Sequence, residues 1–354
     1  MNTYLFRPDF YASRYNCNVF SVDQWTEFGH KNPTLGICFW IIGVSTLALY
    51  IPFMAAMMQA GFRELSCYKI MFYLGVVDLG NIFVGGFVTG YLTWVGAVYC
   101  AFPNLIYING CLGLTCWCVG CMTGCLLAFN RCIDVARPDL FVKWFSGSKT
   151  WAWLLLPTIY FWSIFMFEMP LIFDSKYVTW FYDPFVEMPV HYNYDYAHTA
   201  HSINNVAVVF ILCAENAYLL RSIFKMSRAS HLSSTARLKR QFIIQTIIIC
   251  GLIIVASSVY VYMNYFNLPP LLTTIGTLAY TGNSGSPGFV YLFLNKNLRR
   301  AVFRMLRLDV MARWKYKTRR IASMGDSPQP LNSNVISPTP PINPGQDSLS
   351  ANHH

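Results

Sequence analysis

Seven long apolar segments constrain the fold of this chain more than any other feature of its sequence. They lie at about residues 34–60, 70–97, 102–132, 150–173, 199–225, 241–266 and 271–294. A helix needs roughly 20 apolar residues to cross the hydrocarbon core of a membrane, and each segment reaches that length. Only 12% of the residues are charged, about half the share found in soluble domains. The sequence therefore predicts an all-α integral membrane protein with a seven-transmembrane helix bundle.

The positions of lysine and arginine predict how this bundle is oriented. Four of the 26 basic residues lie on the N-terminal side of the predicted bundle, namely Arg7, Arg14, Lys31 and Lys176, and the other 22 lie in the opposite connections or the C-terminal tail. Because basic connections stay in the cytoplasm, we expect an extracellular N-terminus and a cytoplasmic C-terminus. The net charge of +10 then lies against the inner membrane surface, so we expect membrane lipids and no nucleic acid as partners.

Composition divides the chain into four predicted segments. Residues 1–33 form an extracellular N-terminal segment, and residues 34–294 form the bundle. Residues 295–310 are predicted to be an amphipathic cytoplasmic helix eight on anionic lipids, because apolar residues alternate with arginines at helical spacing. Residues 311–354 are rich in Ser, Pro and Asn and are predicted to be a disordered cytoplasmic tail.

Several motifs resemble those of G-protein-coupled receptors in order and spacing. They are Leu74-Gly75-Val76-Val77-Asp78, Phe129-Asn130-Arg131, Ser286-Pro287 with Tyr291, and Asn295 with Arg299. Within that superfamily, residues 15 to 310 resemble the nematode serpentine chemoreceptors of class T. The motifs that carry this resemblance are Tyr15-Asn16-Cys17, Cys67-Tyr68-Lys69-Ile70-Met71, Phe129-Asn130-Arg131 and Tyr291-Leu292-Phe293-Leu294-Asn295. The resemblance implies a chemosensory receptor of the plasma membrane, with sensory cilia as a more specific location. Such a receptor binds an extracellular small molecule and activates a heterotrimeric G protein.

The resemblance also implies a set of signalling residues: Asp78, Asn130, Arg131, Asn283, Ser286, Pro287, Tyr291, Asn295 and Arg299. Asp78 is expected to share a polar pocket with Asn283 and Ser286 that rearranges on activation, either with or without a sodium ion. The alternative is a protonated acid that bonds one neighbour. Arg131 is expected to engage the G protein, and the alternative is a snorkelling side chain that only orients the helix.

The motifs depart from the common receptor pattern in three places. Asn130 stands where an acidic residue usually precedes the arginine, so the usual acidic partner of Arg131 is expected to be missing. Three residues instead of two separate Pro287 from Tyr291, and the sixth segment lacks a Cys-Trp-x-Pro element. We therefore expect activation by a variant route.

The acids Glu168 and Glu215 are further candidates for ligand contact within the membrane, and hydrogen bonding to a neighbouring helix is the alternative for each. The ligand is expected in the outer half of spans three to seven, under the aromatic connection 174–198. A metal site is not expected, and neither is any other cofactor. Cys118, Cys121 and Cys125 share one helical face but suit apolar packing, and His191, His198 and His201 with Asp195 suit a membrane interface.

A disulfide is predicted between Cys17 and Cys100. Many receptors of this kind tie the outer end of span three to the long outer connection, but residues 174–201 contain no cysteine. Cys17 and Cys100 both fall on the oxidising side of the membrane. Their bridge would hold the N-terminal segment over the pocket entrance as a lid. The alternatives are two free thiols, or Cys111 in place of Cys100.

The sequence does not predict an enzyme, and it leaves one alternative to a receptor. An enzyme is not expected, because the chain lacks a nucleophile elbow, an HExxH motif and a phosphate loop. A seven-span transporter or ligand-gated channel is the alternative function, although such proteins usually show internal repeats or broken helices.

The tail hydroxyls are expected to accept phosphate and recruit an arrestin-like protein: Ser323, Ser327, Ser333, Ser337, Thr339, Ser348 and Ser350.

Overall fold

The computed structural model describes residues 1–186, 188–190, 194, 196, 199–227, 234–266 and 269–307. Within these ranges seven long helices form the bundle, as the sequence predicts. We number them spans one to seven: Pro33–Met57, Ser66–Val95, Pro103–Ala136, Lys149–Phe167, Thr199–Ser227, Ser234–Tyr265 and Pro270–Leu294. The all-α fold is thereby confirmed. The predicted disordered cytoplasmic tail, residues 311–354, and its hydroxyls lie outside the described residues.

Six of these helices are long and apolar enough to cross a membrane by length and composition, within the part of the chain that the structure describes. Span seven is not among the six, although it is 25 residues long. Span seven is less hydrophobic because a row of its hydroxyl side chains faces the interior of the bundle. The buried members of that row are Thr273, Thr277, Thr281 and Ser284.

Span three is the central helix of the bundle, with 22 of its 34 residues buried. Small side chains make this position possible. A Cβ atom added at Gly124 would lie 2.7 Å from Ile253 of span six, and one added at Gly80 of span two would lie 2.6 Å from Cys116. Small residues let membrane helices approach closely, which explains why span three is rich in Gly and Cys. No group of three or more potential metal ligands occurs among the described residues.

Span four ends earlier than the sequence predicts, and this changes the position of one candidate residue. The helix stops at Phe167, and Glu168 has extended backbone angles. Pro170 follows, and a proline cannot donate a backbone hydrogen bond to continue the helix. Strand β1 (Ile172–Asp174) then pairs antiparallel with β2 (Thr179–Phe181). Glu168 therefore lies at the C-terminal boundary of span four and not within it, which corrects the prediction.

The β-hairpin lies against span three near the N-terminus of that helix. A Cβ atom at Gly110 would lie 1.7 Å from the backbone oxygen of Leu171, so only glycine permits this approach. The Trp180 Nε1 atom donates a 3.0 Å hydrogen bond to Thr89 Oγ1 and so ties β2 to span two. We call this end of the bundle the N-terminal end, because helices α1 (Asn2–Phe6), α2 (Pro8–Arg14) and α3 (Val22–Glu27) share its apolar core with the hairpin.

The N-terminal segment is fastened to this end by a disulfide and by a cluster of tyrosines. Cys17 is bonded to Cys100, the predicted pairing, with their Cα atoms 5.4 Å apart. The hydroxyls of Tyr11 and Tyr99 form a 2.7 Å hydrogen bond, and the ring of Tyr15 lies 5.5 Å from that of Tyr99. Burial raises the pKa of all three tyrosines above the usual range, so the cluster is uncharged at neutral pH.

The opposite end of the bundle carries the short helix Pro138–Phe145 and, after span seven, the helix Lys296–Met305, which occupies the position predicted for helix eight. The Asn295 side chain begins the latter helix by accepting a 3.0 Å hydrogen bond from the Leu298 backbone N–H. Leu298 and Val302 are buried, whereas the arginines at 299, 300 and 304 are not. We call this end the basic end.

Candidate functional site

Near the N-terminal end, the bundle contains a narrow cavity of about 30 Å³, which we call the aromatic cavity. Spans two, three, five, six and seven contribute to its wall, and Leu171 and Trp180 of the hairpin region complete it. The lining residues are Val84, Asn109, Gly110, Gly113, Leu114, Trp117, Leu171, Trp180, His201, Tyr260 and Tyr280. Mostly apolar walls with a few polar groups are typical of a small-molecule site.

A π-helical turn at Phe83–Val88 brings span two to this wall. Such turns leave backbone carbonyls without their normal α-helical partners. Here side chains supply the missing hydrogen bonds. Trp40 Nε1 donates to the Phe87 backbone oxygen at 3.1 Å, and Thr89 Oγ1 donates to the Val84 backbone oxygen at 2.9 Å. The turn is therefore stabilised locally, and Val84 at its start lines the cavity.

The polar side chains of the aromatic cavity carry no permanent charge. Trp117 Nε1 donates a 2.9 Å hydrogen bond to Asn205 Oδ1, and the Asn205 amide lies 3.2 Å from His201 Nε2. Asn109 donates to the Leu105 backbone oxygen at 2.8 Å. Among the described residues that line the cavity, none is Asp, Glu, Lys or Arg. The cavity therefore offers hydrogen bonds and aromatic faces but no permanent counter-charge.

A second cavity of about 20 Å³ lies next to the first, and we call it the polar cavity. Its lining residues are Leu74, Asp78, Asn81, Trp117, Gly120, Cys121, Ile249, Ile253, Asn283, Ser284, Ser286 and Pro287. Asp78, Asn283 and Ser286 thus line one common space. The hydrogen bond of Asp78 nevertheless goes to span one, where the Tyr50 hydroxyl donates to Asp78 Oδ2 at 2.8 Å. Ser286 donates to the Asn283 backbone oxygen within span seven.

Trp117 and Tyr280 connect the two cavities. Trp117 lines both of them. Tyr280 lines the aromatic cavity, and its hydroxyl donates a 2.6 Å hydrogen bond to Asn81 Oδ1, which belongs to the wall of the polar cavity. The Trp117 ring lies 5.6 Å from that of Tyr260 and 5.7 Å from that of Tyr280. An occupant of the aromatic cavity would therefore touch residues that also shape the polar cavity.

At the basic end, Arg131 has an acidic partner at another position of span three, although the residue directly before it is Asn130. Asp134, one helical turn later in span three, lies 3.5 Å from the Arg131 guanidinium. The same carboxylate forms a 2.8 Å ion pair with Lys239 at the start of span six. The guanidinium also lies 5.0 Å above the Phe242 ring of span six. Asp134 therefore pairs with Arg131 in place of the usual preceding acid and links spans three and six.

The remaining predicted signalling residues join other elements at the basic end. Asn130 donates a 3.1 Å hydrogen bond to Ser66 Oγ of span two. Asn295 donates to the Tyr68 hydroxyl at 3.1 Å, which links the start of the helix Lys296–Met305 to span two. Tyr291 is fully buried, with its ring 6.1 Å from that of Tyr50. Arg299 donates to the Leu292 backbone oxygen at 2.7 Å, and Pro287 lines the polar cavity.

The two acids predicted to contact ligand do not line the aromatic cavity. Glu168 follows the last residue of span four, and Glu215 lines a separate groove between spans three, four and five. His201 belongs to span five and lines the cavity, although the sequence places it with the outer-connection histidines. His191, Asp195 and His198 lie outside the described residues.

Comparisons with known proteins agree with this architecture. The profile described as "Serpentine type 7TM GPCR chemoreceptor Srt" matches residues 1–314. Serpentine receptor class T-55 of Caenorhabditis elegans is 25% identical over 308 residues, which cover 84% of this chain and 81% of that protein. The crystal structure of squid rhodopsin superposes with a TM-score of 0.61 at 13% identity, over 84% of this chain and 93% of that one.

The squid rhodopsin match shows the fold alone, because its sequence identity is low. The profile match covers most of the chain and places it with membrane receptors and not with enzymes. This chain belongs to the Srt family of serpentine seven-transmembrane G-protein-coupled chemoreceptors.

Proposed function

We propose that this protein detects an uncharged small molecule in the aromatic cavity and passes the signal to a heterotrimeric G protein at the basic end. The observation that carries this proposal is the shared wall of the two cavities, because Trp117 lines both. The N-terminal end would be extracellular and the basic end cytoplasmic, in agreement with the four-to-22 division of the basic residues. The N-terminal segment would then form a lid over the cavity.

The wall of the aromatic cavity supports an uncharged ligand. A charged molecule would lose its hydration there without gaining an opposite charge from any described lining residue. A neutral molecule could stack on Trp117, Trp180 or Tyr260 and exchange a hydrogen bond with His201 or Asn109. The cavity of about 30 Å³ has room for only one or two water molecules, so a ligand would widen it on binding.

Transmission would begin with the aromatic contacts of the ligand. Displacement of the Tyr280 ring would disturb its hydrogen bond to Asn81, and movement of Trp117 would disturb its bond to Asn205 of span five. The ligand would stabilise the conformation in which the Asp134–Lys239 pair opens and a G protein can reach Arg131. Ligand and G protein would then favour the same conformation, which is what couples their binding. Phosphorylation of the tail would recruit an arrestin-like protein.

A screen with G-protein nucleotide exchange as the readout tests this proposal. Uncharged compounds should stimulate exchange, whereas carboxylates and quaternary amines of similar size should not. Gly113→Leu should abolish the response, because a Cβ atom there lies 3.1 Å from Val84 Cγ1 in the cavity wall. Gly282→Leu is the matched control, since nothing lies within 4 Å of that position. A Gly113→Leu receptor that reaches the surface and responds normally would place the ligand elsewhere.

A further inference from the structure

Spans three, four and five leave a groove on the outside of the bundle, separate from both cavities. It has a volume of about 450 Å³ and opens on the face that a bilayer would cover. Phe129, Trp153 and Tyr160 contribute aromatic surface to its wall. We call it the Glu215 groove after the one acidic residue among its described lining residues.

Glu215 gives this groove a polar end that the protein itself does not satisfy. Its Oε2 atom is buried and has no hydrogen-bond partner among the described residues. A buried carboxyl oxygen without a partner is costly, so a bound molecule whose donor meets this oxygen after a rotation of the carboxyl group would be stabilised there. The rest of the wall is largely apolar, which suits a molecule with one polar group on an apolar body.

The position of Glu215 sets the depth of that polar group. Its backbone oxygen accepts a hydrogen bond from Cys132, which lies one turn before span three ends at Ala136 on the basic end. The opposite part of the groove is formed by Asn204, 11 residues earlier in span five. A helix rises 1.5 Å per residue, so the two positions are about 16 Å apart along the helix. The polar group would lie near the membrane surface and the apolar body would extend toward the membrane centre.

We propose that the Glu215 groove binds a membrane sterol whose hydroxyl bonds the Glu215 carboxyl. A sterol enters from the bilayer, places one hydroxyl near the leaflet surface and fills a groove of this length with a rigid apolar ring system. Its hydroxyl can donate or accept, so it suits the carboxyl in either protonation state. A phospholipid acyl chain would fill the same space but leave Oε2 without a partner. This site is independent of the ligand proposed for the aromatic cavity.

Photolabelling of the full-length receptor tests the site directly. The receptor would be placed in phosphatidylcholine nanodiscs that contain a sterol with a photoreactive ring, and labelled peptides would be mapped by mass spectrometry. Label should concentrate on peptides that carry Phe129, Trp153 and Ala207. Glu215→Leu should weaken sterol binding by about fivefold, the factor that corresponds to one net hydrogen bond. Glu215→Gln should retain binding, because an amide can still bond the hydroxyl.

Two controls separate this site from general contact with lipid. Tyr218→Phe removes an exposed hydroxyl from the same helix outside the groove and should leave labelling unchanged. Ala207→Trp should fill the groove and remove the label while Glu215 stays in place. A sterol methyl ether, which cannot donate, should compete about fivefold more weakly than the parent sterol. Labelling that is spread over all spans, or that survives Ala207→Trp and Glu215→Leu, would overturn the proposal, as would equal labelling by a photoreactive phosphatidylcholine.

Discussion

Removal of the Asp134 carboxylate should raise the signalling activity of the receptor without ligand. Asp134 joins spans three and six through its 2.8 Å ion pair with Lys239, and it also lies 3.5 Å from Arg131. Asp134→Asn keeps the shape of the side chain but removes the charge that both cations face. The closed arrangement of the two spans then loses stability relative to the open one that a G protein would enter.

The size of the effect follows from the exposure of the two partners. The Asp134 side chain is 11% exposed and that of Lys239 is 35% exposed. Fully exposed pairs contribute about 0–1 kcal/mol, whereas loss of one partner of a buried pair costs about 3–5 kcal/mol. We expect about 1–2 kcal/mol for this half-buried pair, which corresponds to a roughly 5- to 30-fold larger open population. Solvent around the lysine favours the lower part of that range.

Nucleotide exchange by a G protein without added ligand measures this change. Asp139→Asn is the matched control, because its pair with Arg137 is 61–63% exposed and lies within one local segment. Lys239→Gln should cause a smaller rise, since the contact between Arg131 and Asp134 remains. If Asp134→Asn reaches the surface at normal levels and basal exchange equals that of the wild type, then the pair does not hold the receptor closed.

Three further predictions concern other parts of the molecule. Arg131→Ala should lower ligand-stimulated nucleotide exchange and spare surface expression, because it removes the charge that a G protein would meet; normal exchange would make Arg131 structural only. Cys17→Ser should lower the free energy of unfolding by about 2–4 kcal/mol in thermal unfolding assays, because the bridge closes a loop of 83 residues. The exposed Cys213 gives the control Cys213→Ser, and equal stability of both variants would contradict the prediction. An epitope tag at residue 1 should be accessible to antibody on intact cells, and a tag at residue 354 only after permeabilisation; the reverse pattern would invert the proposed orientation.

The bundle could be predicted from sequence because each span is a continuous apolar segment of sufficient length. The sequence predicts too long a span four, because hydropathy alone does not show that the helix ends at Phe167. Pro170, three residues later, lacks the backbone donor that would continue the helix. The Cys17–Cys100 pairing could be proposed because few cysteines lie outside the apolar segments. In each case the physical signal is local in the sequence or depends on very few residues.

The walls of the cavities could not be predicted in the same way. Helices that are apolar on all sides have no amphipathic stripe to show which face points inward. The contribution of His201, Tyr260 and Tyr280 to one cavity therefore depends on the rotation of three separate spans. Asp134 carried a usable signal, because residues three apart share a helix face and it follows Arg131 at that spacing. The common receptor pattern places the acid directly before the arginine, where this chain has Asn130, so that pattern does not identify Asp134.

The most direct test of the proposed coupling compares ligand affinity with and without a G protein. The purified receptor in nanodiscs would be titrated with an uncharged agonist from the screen, in the presence and absence of a nucleotide-free heterotrimer. Because coupling is reciprocal, we expect the G protein to raise ligand affinity by about 5- to 150-fold in the wild type. Tyr280→Phe, which loses the hydrogen bond to Asn81, should bring this ratio closer to one. A wild-type affinity that does not change when the G protein is added would contradict the proposal that the aromatic cavity controls the basic end.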